Sequence, residues 1–192
     1  MRTSRIRTSA VFAAAVAALS GVEAAAQQLF PVVGIPVAYE VSLPVGWESD
    51  NSDPGLLVVQ NDGVVIMVGA VDLMAVEGET GGGPMNDAEL KERRRLTQRV
   101  VQDDSVLMSM VDAMFPGTAE LTDKVREVRT LGGQRSAYAR GRYTEDGESG
   151  WLELHVTLRD GILYLLMFST EGDSDTHAEL LGRVRQSFVL AK

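Results

Sequence analysis

Apolar and polar residues alternate over several runs of the chain, and dipeptides that favour tight turns separate the runs. Asp62-Gly63, Gly132-Gly133, Asp146-Gly147 and Asp160-Gly161 each stand between strand-like segments. A type I′ turn needs positive φ at both central residues, which Gly and Asp tolerate, so each dipeptide predicts a hairpin. Tyr39 to Leu43 alternates ahead of Pro44-Val45-Gly46-Trp47, and Leu56 to Gln60 matches Val64 to Leu73 across the first turn. The three later turns join strands over about 123–131, 134–145, 148–158 and 162–169, which predicts an antiparallel meander.

Treating Asp146-Gly147 as a two-residue turn sets the register on both sides of that hairpin. Ala137 then faces Val156, Ala139 faces Leu154 and Gly141 faces Leu152. The other side pairs Tyr138 with His155, Arg140 with Glu153 and Arg142 with Trp151, which are an aromatic contact, an opposite-charge pair and a cation–π pair. The same construction at Asp160-Gly161 sets Leu158, Val156 and Leu154 against Leu163, Leu165 and Met167. Tyr164, Leu166 and Phe168 make the reverse side of that last strand apolar as well, so it is expected to be central and covered on both faces.

Helical periodicity supplies the covers. A stretch from Asn86 to Phe115 opens with the capping-box spacing of Asn86 and Glu89 and closes at Pro116-Gly117. Leu90, Thr97, Val101, Met108, Val111 and Phe115 form its stripe, which Asp104 interrupts. Either Asp104 is a buried acid, or Asp103-Asp104-Ser105 caps a second helix after a break. The cap is favoured, because Asp caps well and is costly inside an apolar face. A last helix is predicted from about Ser174 to Phe188, with Ala178, Leu181, Val184 and Phe188 inward. The fold class is α+β: an α/β/α sandwich about a central antiparallel sheet, in the order hairpin, helix, four-strand meander, C-terminal helix.

The N-terminus changes the picture of where the chain works. Arg2, Arg5 and Arg7, the apolar run Ala10 to Leu19 and the small residues Ala24-Ala25-Ala26 follow the order of a signal peptide. That run is too short for the roughly 20 residues of a membrane span. Residues 1–26 are therefore expected to be a cleaved leader, and 27–192 a single globular domain, periplasmic or secreted. The net charge of −9 disfavours nucleic acid as a partner, and the chain has no cysteine to form disulfides in an oxidising compartment.

The segment Tyr39-Glu-Val-Ser-Leu-Pro-Val-Gly-Trp47, and the ending Asp160-Gly-Ile-Leu-Tyr-Leu-Leu-Met-Phe-Ser-Thr170 with an acidic helix closing on Ser187-Phe188, resemble the PsbP-like fold family, the exported PsbP/DcrB-type sandwich. The resemblance spans about residues 37–190 and rests on short, mainly structural motifs. It implies a module that acts by docking onto something larger, and it carries no family-wide catalytic residues.

Candidate chemistry is sparse. With no Cys and no Gly-x-Ser-x-Gly elbow, only His155 and His177 could act as a base near neutral pH. His155 reads as a partly buried, hydrogen-bonded strand residue and His177 as a surface residue. Glu171, Asp173, Asp175 and His177 recur at alternate positions, but Thr176 and Gly182 stand where a calcium loop needs Gly and a carboxylate. A metal there is disfavoured, and no cofactor is expected. The loop from Glu77 through Glu79 to Met85 is Gly-rich and offers a contact surface. Lys91, Arg93, Arg94, Arg95 and Arg99 form a basic patch on the first helix that is either a solvated face or a contact for an acidic partner. The leading expectation is a non-enzymatic exported module that docks onto or supports another cell-envelope component. The alternative is a periplasmic protein that binds a small ligand or divalent cation.

Overall fold

The computed structural model describes residues 26–30, 39–52, 55–73, 86–114, 121–145, 147–172 and 174–190. Seven strands form the main sheet: β3 (Glu48–Asp50), β4 (Leu56–Asn61), β5 (Val64–Asp72), β6 (Thr122–Leu131), β7 (Gln134–Glu145), β8 (Glu148–Arg159) and β9 (Ile162–Glu171). Their spatial order is β3-β4-β5-β9-β8-β7-β6, and every neighbouring pair is antiparallel. A small second sheet joins β1 (Ala26–Phe30), β2 (Tyr39–Leu43) and β10 (Val189–Leu190). The helices are α1 (Asp87–Gln102), α2 (Asp104–Met114) and, after a 3₁₀ turn at Ser174–His177, α3 (Ala178–Ser187).

The turns carry the predicted register. Asp62 and Gly63, Gly132 and Gly133, and Asp160 and Gly161 all have positive φ, as type I′ geometry requires. Ala137 pairs with Val156, Arg140 with Glu153, and Leu158 with Leu163, as alternation predicted. The hairpin β4–β5 and the meander β6–β9 are one sheet rather than two groups, because β5 pairs along its length with β9.

Strand β9 is central and covered on both faces. Leu163 packs with Leu154, Val156, Leu158, Ala137 and Ala139 beneath Leu107 and Val111 of α2. Tyr164, Leu166 and Phe168 pack on the other face with Ile66, Val68, the β2 residues Tyr39, Val41 and Leu43, and Leu181, Val184 and Phe188 of the C-terminal segment. Phe188 stacks on Tyr39 at 5.7 Å, and Tyr39 meets Tyr164 edge-on at 6.4 Å. The antiparallel α+β sandwich stands on this packing. Ala178, expected inward, is exposed.

The break between α1 and α2 falls at Asp103, whose backbone leaves helical geometry at φ −98° and ψ 106°. Its Oδ1 accepts from the backbone N–H of Ser105 and Val106 and from the Ser105 hydroxyl, which caps α2. The cap holds the Asp103 carboxyl below its usual range through those bonds, the Ser105 hydroxyl first. Restarting the helix resets its phase, so Leu107, off the continuous stripe, becomes a fully buried contact. Asp104 is exposed and pairs with Arg135. Phe115 lies outside the described residues.

Candidate functional site

The α3 side of the main sheet changes character from one edge to the other. One row across it runs Glu127, Tyr138, His155, Leu166, Val68; the next runs Val125, Arg140, Glu153, Phe168, Ile66; a third joins Thr122, Arg142, Trp151, Thr170 and Val64. Polar and aromatic side chains gather on β7 and β8, and apart from Thr170 the residues on β9 and β5 are apolar. The apolar half lies under α3 and the small sheet. The polar half carries a cluster of arginines and aromatic rings.

Glu153 is the hub of that cluster. Its Oε1 accepts from Nη1 of Arg185 on α3 at 2.6 Å and lies 3.2 Å from His155 Nε2, while Oε2 accepts from the Tyr138 hydroxyl at 3.3 Å. Burial by itself would raise the Glu153 carboxyl; the hydrogen bond from His155 and the charges of Arg185 and Arg140 outweigh it and hold the group below its usual range. His155 is 0% exposed. Burial pushes its imidazole below the ordinary value, against the opposing pull of Glu153. Nδ1 has no hydrogen-bond partner among the described residues, which fits a neutral ring with its proton on Nε2.

Aromatic faces lie against the other three arginines, of which Arg129 also pairs with Glu127. The Arg129 guanidinium lies 3.5 Å from the Tyr138 ring centroid, and Tyr138 meets the His155 ring at 4.8 Å. Arg140 and Arg142 both lie over Trp151, at 4.3 and 5.1 Å. Beside the cluster, an open cleft of about 550 Å³ runs between the Gly132-Gly133 turn and the end of α3, with Arg185, Gln186 and Phe188 on its wall. The arrangement suits holding an anionic surface by charge and planar stacking. His155 is sealed from solvent and does not itself reach a substrate.

The basic patch of α1 meets a different fate. Arg93 is buried rather than solvated: Nη1 donates to Asp72 at 2.7 Å and Nη2 to Glu89 at 3.2 Å. Arg94 pairs with Asp160 at 3.1 Å, and Thr97 Oγ1 accepts from the Gly161 backbone N–H at 2.8 Å. Arg95 pairs within the helix with Glu92. Arg94 and Thr97 peg α1 to the β8–β9 turn and Arg93 ties it to β5, while Lys91, Arg94, Arg95 and Arg99 are exposed. Glu77, Glu79 and the rest of their loop lie outside the described residues, as does Asp173. Glu171 and Asp175 are exposed, and His177 is partly buried on the 3₁₀ turn. Among the described residues no three His, Asp or Glu side chains group as a metal set would, and no helix is long and apolar enough to cross a membrane.

The sequence held part of the signal for the cluster, in the pairing of Tyr138 with His155, Arg140 with Glu153 and Arg142 with Trp151. It lacked the contribution of Arg185, which comes from a distant helix and takes the Glu153 carboxylate.

No family model and no curated protein matches the chain. Solved structures are similar to it. One is the cyanobacterial PsbP (CyanoP) of Synechocystis, at 21% identity and a TM-score of 0.45, covering 92% of this chain and 99% of that one. LpqN of Mycobacterium tuberculosis, described as involved in cell envelope biogenesis, is 16% identical with a TM-score of 0.43, covering 86% and 92%. A Bacteroides thetaiotaomicron structure is 15% identical with a TM-score of 0.48, and the chain, matched over 86% of its length, spans about half of that protein, 48%. The Synechocystis protein bears the PsbP name of the family that the sequence motifs resemble.

Proposed function

We propose that the chain is an exported, non-catalytic module that docks onto an acidic segment of another cell-envelope protein through the arginine and aromatic face of β6–β8. The observation that carries this reading is the gathering of Arg129, Arg140, Arg142 and Arg185 around Tyr138, Trp151 and Glu153 in a chain whose net charge is −9. A basic, planar patch on an otherwise acidic protein steers toward a negative partner. Stacked guanidinium groups are held in place before contact, so docking costs them little rotamer freedom. Export is supported by the order of Arg2, Arg5, Arg7, the apolar run and Ala24-Ala25-Ala26, with Gln27 expected as the first residue of the exported protein.

Affinity capture from a cell-envelope extract tests the reading, comparing the exported protein with an Arg140→Glu/Arg142→Glu variant of unchanged melting temperature. The native protein is expected to retain an acidic protein that the variant loses at least tenfold, and that about 0.5 M salt releases. Equal capture by the variant, or retention only of anionic phosphatidylglycerol vesicles with no protein partner, overturns it.

A further inference from the structure

Among the described residues β6 ends the seven-stranded sheet and pairs with β7 alone, which leaves its outer edge without a neighbouring strand. Natural proteins protect such edges with bulges and charge. Here the bulge sits at one end: the register with β7 shifts between Thr122 and Val125, where Asp123 has φ 50° and Lys124 follows, while Arg126, Glu127 and Arg129 carry charge along the rest. From Val125 to Leu131 the strand is regular, with Val125 46% exposed.

The Gly132-Gly133 turn determines which backbone groups this stretch offers. In a two-residue hairpin the flanking residues, here Leu131 and Gln134, exchange both hydrogen bonds. By the alternation of the ladder, Arg129, Glu127 and Val125 also turn their N–H and C=O toward β7. Arg126, Val128 and Thr130 therefore turn theirs outward, to the free edge.

We infer that this edge pairs with the same edge of a second copy, antiparallel about a two-fold axis through Val128, so that the main sheets of the two molecules become continuous. Three features select that partner and that register. Outward groups must meet outward groups, which restricts the axis to a residue rather than a point between two. An axis at Glu127 sets two glutamates opposite one another, and an axis at Arg129 sets two arginines opposite, both repulsive. Within one chain Glu127 and Arg129 pair with each other; the axis at Val128 sets this pair against its copy, Glu127 of each beside Arg129 of the other, with Arg126 against Thr130 and Val125 against Leu131. It is also the midpoint of the regular stretch, so this register uses every residue between the bulge and the turn. The self-complementarity is that of an isologous interface. It brings the arginine faces of the two copies side by side, and it stands whether or not the docking reading above holds.

Sedimentation equilibrium of the exported protein from about 1 µM to about 1 mM, with cysteine cross-linking, tests the inference. The native protein is expected to reach twice the monomer mass. Val128→Pro removes an outward N–H without touching the ladder with β7, and is expected to stay monomeric with its circular dichroism spectrum unchanged. The chain has no cysteine, so a Val128→Cys variant, whose Cα atoms would sit about 5.5 Å apart across the axis, is expected to form a disulfide dimer under mild oxidation. Arg126→Cys, set against Thr130, is expected not to. Glu127→Arg is expected to abolish the dimer, and Glu127→Arg with Arg129→Glu to restore it. A monomer at every concentration, a folded Val128→Pro dimer, or Arg126→Cys cross-linking as readily as Val128→Cys overturns the inference.

Discussion

On the side of the β7–β8 ladder turned to α1 and α2, the residues are Ala137, Ala139, Leu154, Val156 and Leu158; on the side turned to α3 they are Tyr138, Arg140, Trp151, Glu153 and His155. The same two strands supply both sets at alternate positions. The first side is held mainly by burial, at roughly 25 cal/mol per Å² of apolar surface, with ion pairs such as Asp104 with Arg135 only at its margin, and its alanines let α2 lie close. The second side is held by directed bonds to one carboxylate, each contributing about 1 kcal/mol net. Burial without direction supports a fold under many similar side chains. Directed contacts hold particular groups in particular places, here Arg185 on Glu153 and three further arginines over Tyr138 and Trp151. This contrast puts stability on one side of the ladder and a surface fit for recognition on the other.

The largest test of the contrast is Val156→Asp, which buries an unpaired carboxylate at a position with no exposure beneath Leu107 and Val111. More than about 4 kcal/mol of stability is expected to be lost, with no cooperative transition left in a circular dichroism melt. Retention of a cooperative transition would mean that α2 is not seated on this face.

A middle-sized effect is expected on the other side. Glu153→Ala takes away the shared acceptor of Arg185, His155 and Tyr138. Arg185 is partly exposed and turns to water, so the loss is expected to be about 2 kcal/mol by urea denaturation. A double-mutant cycle with Arg185→Ala is expected to give a coupling of about 1 kcal/mol. Additivity would show that the helix and the strand are not joined through Glu153.

The smallest effect is a dependence on pH. His155 binds its proton less readily in the fold than at its ordinary value of 6.5. As pH falls through 6.5 the unfolded chain protonates first, so stability declines from there down to the folded-state value and is flat above 6.5. Glu153, held below its ordinary 4.5, adds a separate loss as pH falls below that value. Melting temperatures are expected to drop by a few degrees between pH 6.5 and 5, and His155→Gln is expected to flatten that interval while keeping the loss below 4.5. An unchanged slope in the variant would assign the acid sensitivity elsewhere.

Parts of the site were legible in the sequence for the same reason the meander was. A two-residue turn with Asp-Gly or Gly-Gly chemistry sets a register, and the register names each neighbour, including Tyr138 beside His155 and Arg142 beside Trp151. Within the basic run of α1 only Arg93 departs from an exposed face, and charge in a sequence does not say which way a side chain points. Arg93 turns inward to Asp72, which β5 presents after a long excursion of the chain. Arg185 was equally illegible as the partner of Glu153, since their meeting depends on where α3 crosses the sheet.

By itself the sequence determined the hairpins, their alternation, the Asp103 cap and the double burial of β9, because these follow from φ preferences and side-chain period within a few residues of one another. Only the tertiary structure decided that β5 joins β9, that β10 closes on β2 into a second small sheet, and which arginines are pegs and which are surface. Such choices depend on competition among distant segments for the same apolar surface and the same few carboxylates. Local pattern cannot rank those competitors, because their free energies exist only once the chain has been brought together.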